Sequence, residues 1–180
     1  IFGALIIAAI FNLSDSHFFL MTAVFIAACS WEWGSLINIK TLFARCLLVF
    51  FMLISFVISF WLPLGTILLG SVCWWSFVTT LLLTYPKSRH MWAEKKWYGI
   101  FMGVTSILPA GLAINVLKHY NQGAFVVLYA LLLVILADSA AYFAGRSFGR
   151  RPLASKLSPK KTIEGLIGGL VVTFVFSVMG

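Results

Sequence analysis

Seven apolar runs occupy nearly the whole of this chain, and most are about as long as the roughly 20 residues that a helix needs to cross a bilayer. None shows the period-two alternation of strands in a membrane barrel. Backbone groups in hydrocarbon must find their hydrogen-bond partners within the segment, which favours helices. Only 10% of the residues are charged, too few to cover a soluble domain with polar surface. The sequence therefore predicts an all-α, polytopic transmembrane helical bundle.

Polar or proline-containing breaks separate the runs. The first run is too short to span a bilayer and the last is still apolar at Gly180, so we expect both to be truncated helices. No internal repeat or linker divides the chain, and we predict one transmembrane domain over residues 1–180. The predicted segments are 1–11, 18–37, 47–62, 64–83, 98–117, 124–144 and 163–180.

The basic residues are distributed unevenly around these segments. If the helices alternate in direction, 12 of the 13 Lys and Arg residues lie on one side of the membrane, and only Lys118 lies on the other. Six of them fall in the loop 146–161. Because positively charged loops remain in the cytoplasm, we predict that this loop is cytoplasmic. The segment 87–97 mixes basic and aromatic residues, which predicts that it lies in the membrane interface.

Asp138 is an acid within an apolar run. It lies six residues before the expected helix end at Ala144, or about 9 Å below that end. An ionisable group at this depth costs several kcal/mol unless it is paired, hydrated or metal-bound, so it indicates a functional site. Tyr142 and Gly145 share its helix face. The alternative is an acid that serves helix packing or ion pairing without chemistry.

The dipeptide Ser158-Pro159 is typical of a helix start, with Ser158 as N-cap and Pro159 at the first helical position. Lys160 and Lys161 would then oppose the helix dipole. An anion bound at the helix N-terminus would remove that conflict, which favours a phosphate site. The alternative is that these are ordinary lysines flanking a membrane helix.

Glu164 and three glycines follow the two lysines. The spacing predicts that Glu164 faces back toward Lys160 and Lys161, where it could pair with them or help to hold a metal ion. The glycines form a small-residue face that allows another helix to approach closely. We expect that partner to be the helix that bears Asp138. The glycines are Gly165, Gly168 and Gly169.

Several motifs resemble the bacterial phosphatidate cytidylyltransferases, also called CDP-diacylglycerol synthases. The family usually has Gly at the position of Ala140, a small-for-small difference. Its members continue into a C-terminal signature rich in Asp, Lys and His-Gly-Gly, which this sequence does not contain, so we expect the 180 residues alone to be inactive. The resemblance covers nearly the whole chain, and its motifs are Trp-Glu-Trp-Gly at 31–34, Asp-Ser-Ala-Ala-Tyr-Phe-Ala-Gly-Arg at 138–146, Phe-Gly-Arg at 148–150 and Lys-Leu-Ser-Pro-Lys-Lys-Thr-Ile-Glu-Gly-Leu-Ile-Gly-Gly at 156–169.

The resemblance implies an enzyme that joins CTP and phosphatidate to give CDP-diacylglycerol and pyrophosphate, with Mg²⁺ as cofactor. It implies a multi-pass protein of the bacterial cytoplasmic membrane, with the lipid bilayer as a partner and no nucleic acid, and it leaves a homodimer open. The alternative is a transporter or scaffold whose basic loop binds anionic lipid. The residues implied in catalysis are Asp138, Lys160, Lys161 and Glu164; those in phosphate or substrate binding are Arg146, Arg150, Lys156, Ser158, Lys160 and Lys161; those in metal binding are Asp138 and Glu164.

Overall fold

A computed structural model describes residues 2–83, 96–155 and 158–179 of the chain. The predicted helical bundle is confirmed, and a short β-hairpin interrupts it. Helices α2 to α6 are long and apolar enough to cross a membrane, whereas α1 and α7 are shorter. The elements are α1 (Phe2–Asn12), α2 (Asp15–Leu36), α3 (Leu42–Ser59), α4 (Leu64–Leu83), α5 (Lys96–Lys118), α6 (Gly123–Phe148), β1 (Pro152–Ala154), β2 (Ser158–Thr162) and α7 (Ile163–Met179).

Two sequence predictions fall on residues that the structure does not describe. The predicted interfacial segment 87–97 falls largely on residues 84–95, which lie outside the described residues. Lys156, predicted to bind phosphate, also lies outside them.

The chain divides into two compact units, Ile1–Ala124 and Phe125–Gly180. In the first unit, α2, α3 and α5 pack around a small apolar core. Leucine, valine and phenylalanine side chains cover much of the outer surface of both units, as expected where lipid replaces water. The core residues are Ile26, Leu48, Met52, Phe56 and Leu108.

The second unit contains α6, the hairpin and α7. The two helices pack along the glycine face, which confirms the prediction that this face meets the helix that bears Asp138. A Cβ atom added to Gly165 would lie 2.7 Å from the carbonyl oxygen of Ala141, and one added to Gly169 would lie 3.2 Å from the Ala141 Cβ. Such close approach is possible only because glycine has no side chain. We call this contact, between residues 141–145 of α6 and 165–169 of α7, the seam; it fixes the base of the hairpin.

The predicted start of the last helix is wrong by four residues. Ser158 is not a helix N-cap; it begins strand β2, and α7 begins at Ile163. The N-cap is Thr162, whose Oγ1 accepts a hydrogen bond from the Gly165 N–H at 3.1 Å. Proline fits the first turn of a helix and equally an edge strand, because it lacks an N–H in both. The actual first turn contains the acidic Glu164, which complements the helix dipole.

Candidate functional site

A positively charged hairpin connects α6 to α7, and we call residues 149–162 the basic hairpin. Pro152 pairs with Thr162 and Ala154 pairs with Ser158, so three residues of β2 lie opposite Leu153 alone. Such a bulge interrupts pairing and redirects side chains, and bulges are frequent beside active sites. The three bulged residues are Pro159, Lys160 and Lys161.

Both lysines of the bulge are exposed. Neither forms an ion pair within the part of the chain that the structure describes. The two lysines are not at the N-terminus of α7, as the sequence suggested, but on the strand that leads to it. Their ammonium groups are available to an anion from solution or from the membrane surface.

Glu164 binds the turn that connects α6 to β1. Its Oε2 accepts hydrogen bonds from the backbone N–H groups of Arg150 at 3.1 Å and Arg151 at 3.2 Å. Its Oε1 accepts from Nε of Arg151 at 3.1 Å. The predicted orientation of Glu164 toward Lys160 and Lys161 is thus wrong, because these lysines lie on a strand and the carboxylate binds the turn after α6 instead. Glu164 holds the hairpin to the first turn of α7.

These contacts also fix the charge of Glu164, which lies in the first turn of α7, outside the five helices of membrane-spanning length. The pKa of this carboxyl is lowered to about 2, mainly by the Arg150 N–H and then by the N–H groups of Glu164 itself and of Arg151. The guanidinium of Arg151 acts in the same direction. Glu164 is therefore ionised at neutral pH, and the hairpin contact is charged on both sides.

A pocket of about 550 Å³ opens beside this contact. Its wall combines backbone of the turn after α6, two arginines and one carboxylate. The guanidinium of Arg151 is largely exposed, with 70% of its side chain accessible. A small anionic group can thus approach the turn from outside. The lining residues are Ser147, Phe148, Gly149, Arg150, Arg151 and Glu164.

Asp138 lies further from the end of its helix than the sequence suggested. Helix α6 continues past Ala144 to Phe148, so Asp138 is ten residues before its end, or about 15 Å along the axis. Its side chain is exposed on the surface of α6. It has no hydrogen bond or ion pair among the described residues, so its oxygens are available.

The structure does not bring the two predicted metal ligands together. Gly145 packs against Gly165, and Asp138 precedes Gly145 by seven residues, so Asp138 lies about 10 Å further along the helix axis than Glu164. Over the described ranges, no group of three His, Cys, Asp or Glu side chains could hold a metal ion. A metal at Asp138 needs further ligands from elsewhere.

Arg146 and Tyr142 form a contact that the sequence analysis did not identify. The Arg146 Nη1 donates a hydrogen bond to the Tyr142 hydroxyl oxygen at 3.0 Å. The spacing of these two residues in the sequence indicates the contact, because residues four apart on a helix are neighbours. Asp138, Tyr142 and Arg146 follow one another at this spacing along one flank of α6.

Comparison with known proteins identifies the family to which this sequence is similar. Residues 1–180 match the Cytidylyltransferase family. The chain is 32% identical to the phosphatidate cytidylyltransferase of Haemophilus influenzae, over 97% of the chain and 67% of that protein. It is 34% identical to the phosphatidate cytidylyltransferase of Pseudomonas aeruginosa, over 89% of the chain and 59% of that protein. The chain thus spans about two thirds or less of these relatives. No solved structure gives a significant match.

Proposed function

This chain belongs to the Cytidylyltransferase family, and we propose that the protein transfers a cytidylyl group from CTP to phosphatidate. A phosphate oxygen of phosphatidate attacks the α-phosphorus of CTP, and the bond from that phosphorus to the β-phosphate oxygen breaks. CDP-diacylglycerol forms and pyrophosphate leaves. The observation that carries the proposal is the basic hairpin with unpaired lysines, held at the end of a helix of membrane-spanning length.

The reaction does not require a covalent intermediate with the protein. The nucleophile is already an ionised phosphate oxygen, so the main obstacle is repulsion between two polyanions. Fixed cations that face the developing charge lower this barrier, because they cost no reorganisation during the reaction. The basic hairpin supplies such cations where a lipid head group and a nucleotide can meet.

We assign Lys160 and Lys161 to phosphate groups of the substrates, because both are exposed and unpaired in the described part of the chain. Arg146 and Arg150 support them at the end of α6 and in the turn that follows. Ser158, at the start of β2, and Lys156 complete the proposed set. Arg151 is committed to Glu164 and has a structural role.

Mg²⁺ is part of the proposal. The carboxylate of Asp138 fits this ion, since it is exposed, a hard oxygen donor and without a partner among the described residues. Glu164 fits less well, because hydrogen bonds from the hairpin occupy three of the roughly four lone-pair sites on its two oxygens. The bound ion would neutralise phosphate charge and polarise the reacting phosphoryl group. We therefore propose Asp138 as a metal ligand and Glu164 as the residue that holds the hairpin.

We also propose that the protein lies in a bacterial cytoplasmic membrane, with its basic loops on the cytoplasmic side, where CTP is found. The 12-to-1 distribution of basic residues supports this orientation. A homodimer stays a prediction. The competing function, a transporter or scaffold that only binds anionic lipid, is not favoured by the relatives, which are named as transferases.

The proposal is tested by Lys160→Ala, Lys161→Ala and the double variant. A charge-assisted contact to phosphate contributes about 1.5–3 kcal/mol, so each single variant should lose about tenfold or more in turnover. The substitutions, here and in the tests below, are made in the full-length protein, and CDP-diacylglycerol formation is measured in membranes that contain equal amounts of each variant. Lys40→Ala is the matched control: Lys40 is also exposed and predicted to be cytoplasmic, but it lies between α2 and α3 in the first unit.

The control should retain the parent rate. A double variant with near-normal turnover would remove the basic hairpin from the site. A full-length protein that binds phosphatidate but makes no product from CTP would favour the scaffold.

A further inference from the structure

Tyr142 and Arg146 form an exposed polar pair on the surface of α6. Tyr142 is 58% exposed although it lies within a helix of membrane-spanning length. Its hydroxyl oxygen accepts a hydrogen bond from Arg146 at 3.0 Å. Tyr142 lies within the predicted apolar run 124–144, where lipid would offer no hydrogen-bond partners, so an exposed polar pair here favours a polar ligand.

The direction of this hydrogen bond determines what the pair can bind. A guanidinium can only donate, so the phenol oxygen of Tyr142 is the acceptor and the phenol O–H is still free to donate. Arg146 has five N–H donors and uses one of them on Tyr142. The pair therefore presents several donors and a positive charge to one place, which suits a phosphate and not a cation.

Depth distinguishes this pair from the basic hairpin. Tyr142 lies six residues inside the end of α6 at Phe148, or about 9 Å along the helix axis. Lys160 and Lys161 lie on β2, beyond that end. A lipid phosphate enters from the bilayer and can reach the flank of α6, whereas a water-soluble nucleotide approaches from beyond the helix.

We propose that Tyr142 and Arg146 form the binding site for the lipid phosphate, with the Tyr142 O–H donating to a phosphate oxygen. This rests on the proposed function, because it divides the two anionic substrates between two levels of one site. The hairpin lysines then receive the phosphates of CTP. Tyr142 is a substrate-binding residue in this arrangement and takes no part in proton transfer.

The first test is Tyr142→Phe, which removes only the hydroxyl group. The KM for phosphatidate should rise about tenfold or more, the loss expected for one hydrogen bond to a charged group, while the KM for CTP stays unchanged. Tyr129→Phe is the matched control: it is the same substitution in the same helix, and the Tyr129 ring stacks on Phe176 with centroids 5.2 Å apart. An unchanged KM for phosphatidate in Tyr142→Phe, or an equal rise in both KM values, would overturn the proposal.

A second test does not depend on turnover. A ligand that binds the folded protein raises its unfolding temperature, so the purified protein in detergent is heated with dioctanoyl phosphatidate, CTP or inorganic phosphate. Tyr142→Phe should lose most of the shift caused by dioctanoyl phosphatidate and keep the shift caused by CTP. A parent protein without any phosphatidate shift, or an equal loss for inorganic phosphate and phosphatidate, would refute a lipid-specific site. A selective loss of the phosphatidate shift, in a full-length parent that shows no turnover, would support this site and refute the proposed reaction.

Discussion

The seam between α6 and α7 gives the sharpest test of the structure, through the substitution Gly168→Ala. The added Cβ would lie well inside 3.0 Å of the Ala144 Cβ, while its next neighbour, the Ala140 carbonyl oxygen, is at an ordinary 3.5 Å. Carbon atoms pack best about 3.5–4.0 Å apart, so the two helices must separate by about 1 Å. Overpacking of this kind typically costs about 1–3 kcal/mol.

The double variant Gly168→Ala/Ala144→Gly isolates this clash. Each substitution also changes helix propensity by about 1 kcal/mol, but that term occurs in the single variants and cancels in a double-mutant cycle. Removal of the Ala144 methyl group makes room for the new one. The double variant should therefore be more stable than the two single variants predict together, by about 1–3 kcal/mol.

The assay is thermal unfolding of the purified protein in detergent. Gly70→Ala is the control, because a Cβ added to Gly70 in α4 meets nothing within 4 Å. That variant should be neutral or more stable by up to about 1 kcal/mol. If Gly168→Ala behaves like Gly70→Ala, or if the cycle shows no coupling between residues 144 and 168, then α6 and α7 do not pack through this seam.

Two further outcomes are expected. Asp138→Asn keeps the shape of the side chain and removes its charge, so the rate of cytidylyl transfer should fall and excess Mg²⁺ should restore part of that rate. If a Mg²⁺ titration shows the same rate and the same metal response as the parent, Asp138 is a packing residue. Thr162→Val removes the cap on the Gly165 N–H and should cost about 0.5–2 kcal/mol in thermal unfolding. Thr173→Val, within α7, should cost clearly less, because its hydroxyl only donates to a carbonyl oxygen; equal costs would argue against the cap.

The bundle and the seam could be predicted from the sequence because both depend on local patterns. Long apolar runs must form helices in hydrocarbon, whatever their neighbours are. Glycines at 165, 168 and 169 fall on one helix face, and such a face is useful only to a close partner. Neither inference needs to know which distant residue supplies the contact.

The hairpin needed the tertiary structure. Pro159 is compatible with a helix start and with an edge strand, and only the pairing of 158–162 with 152–154 decides between them. The partner of Glu164 was decided in the same way: spacing along the chain offered two lysines, but the fold brings the N–H groups of Arg150 and Arg151 to its oxygens. Hydrophobic pattern and local spacing thus determined where the helices run, while contacts between residues distant in sequence decided which charges are paired and which are left for a substrate.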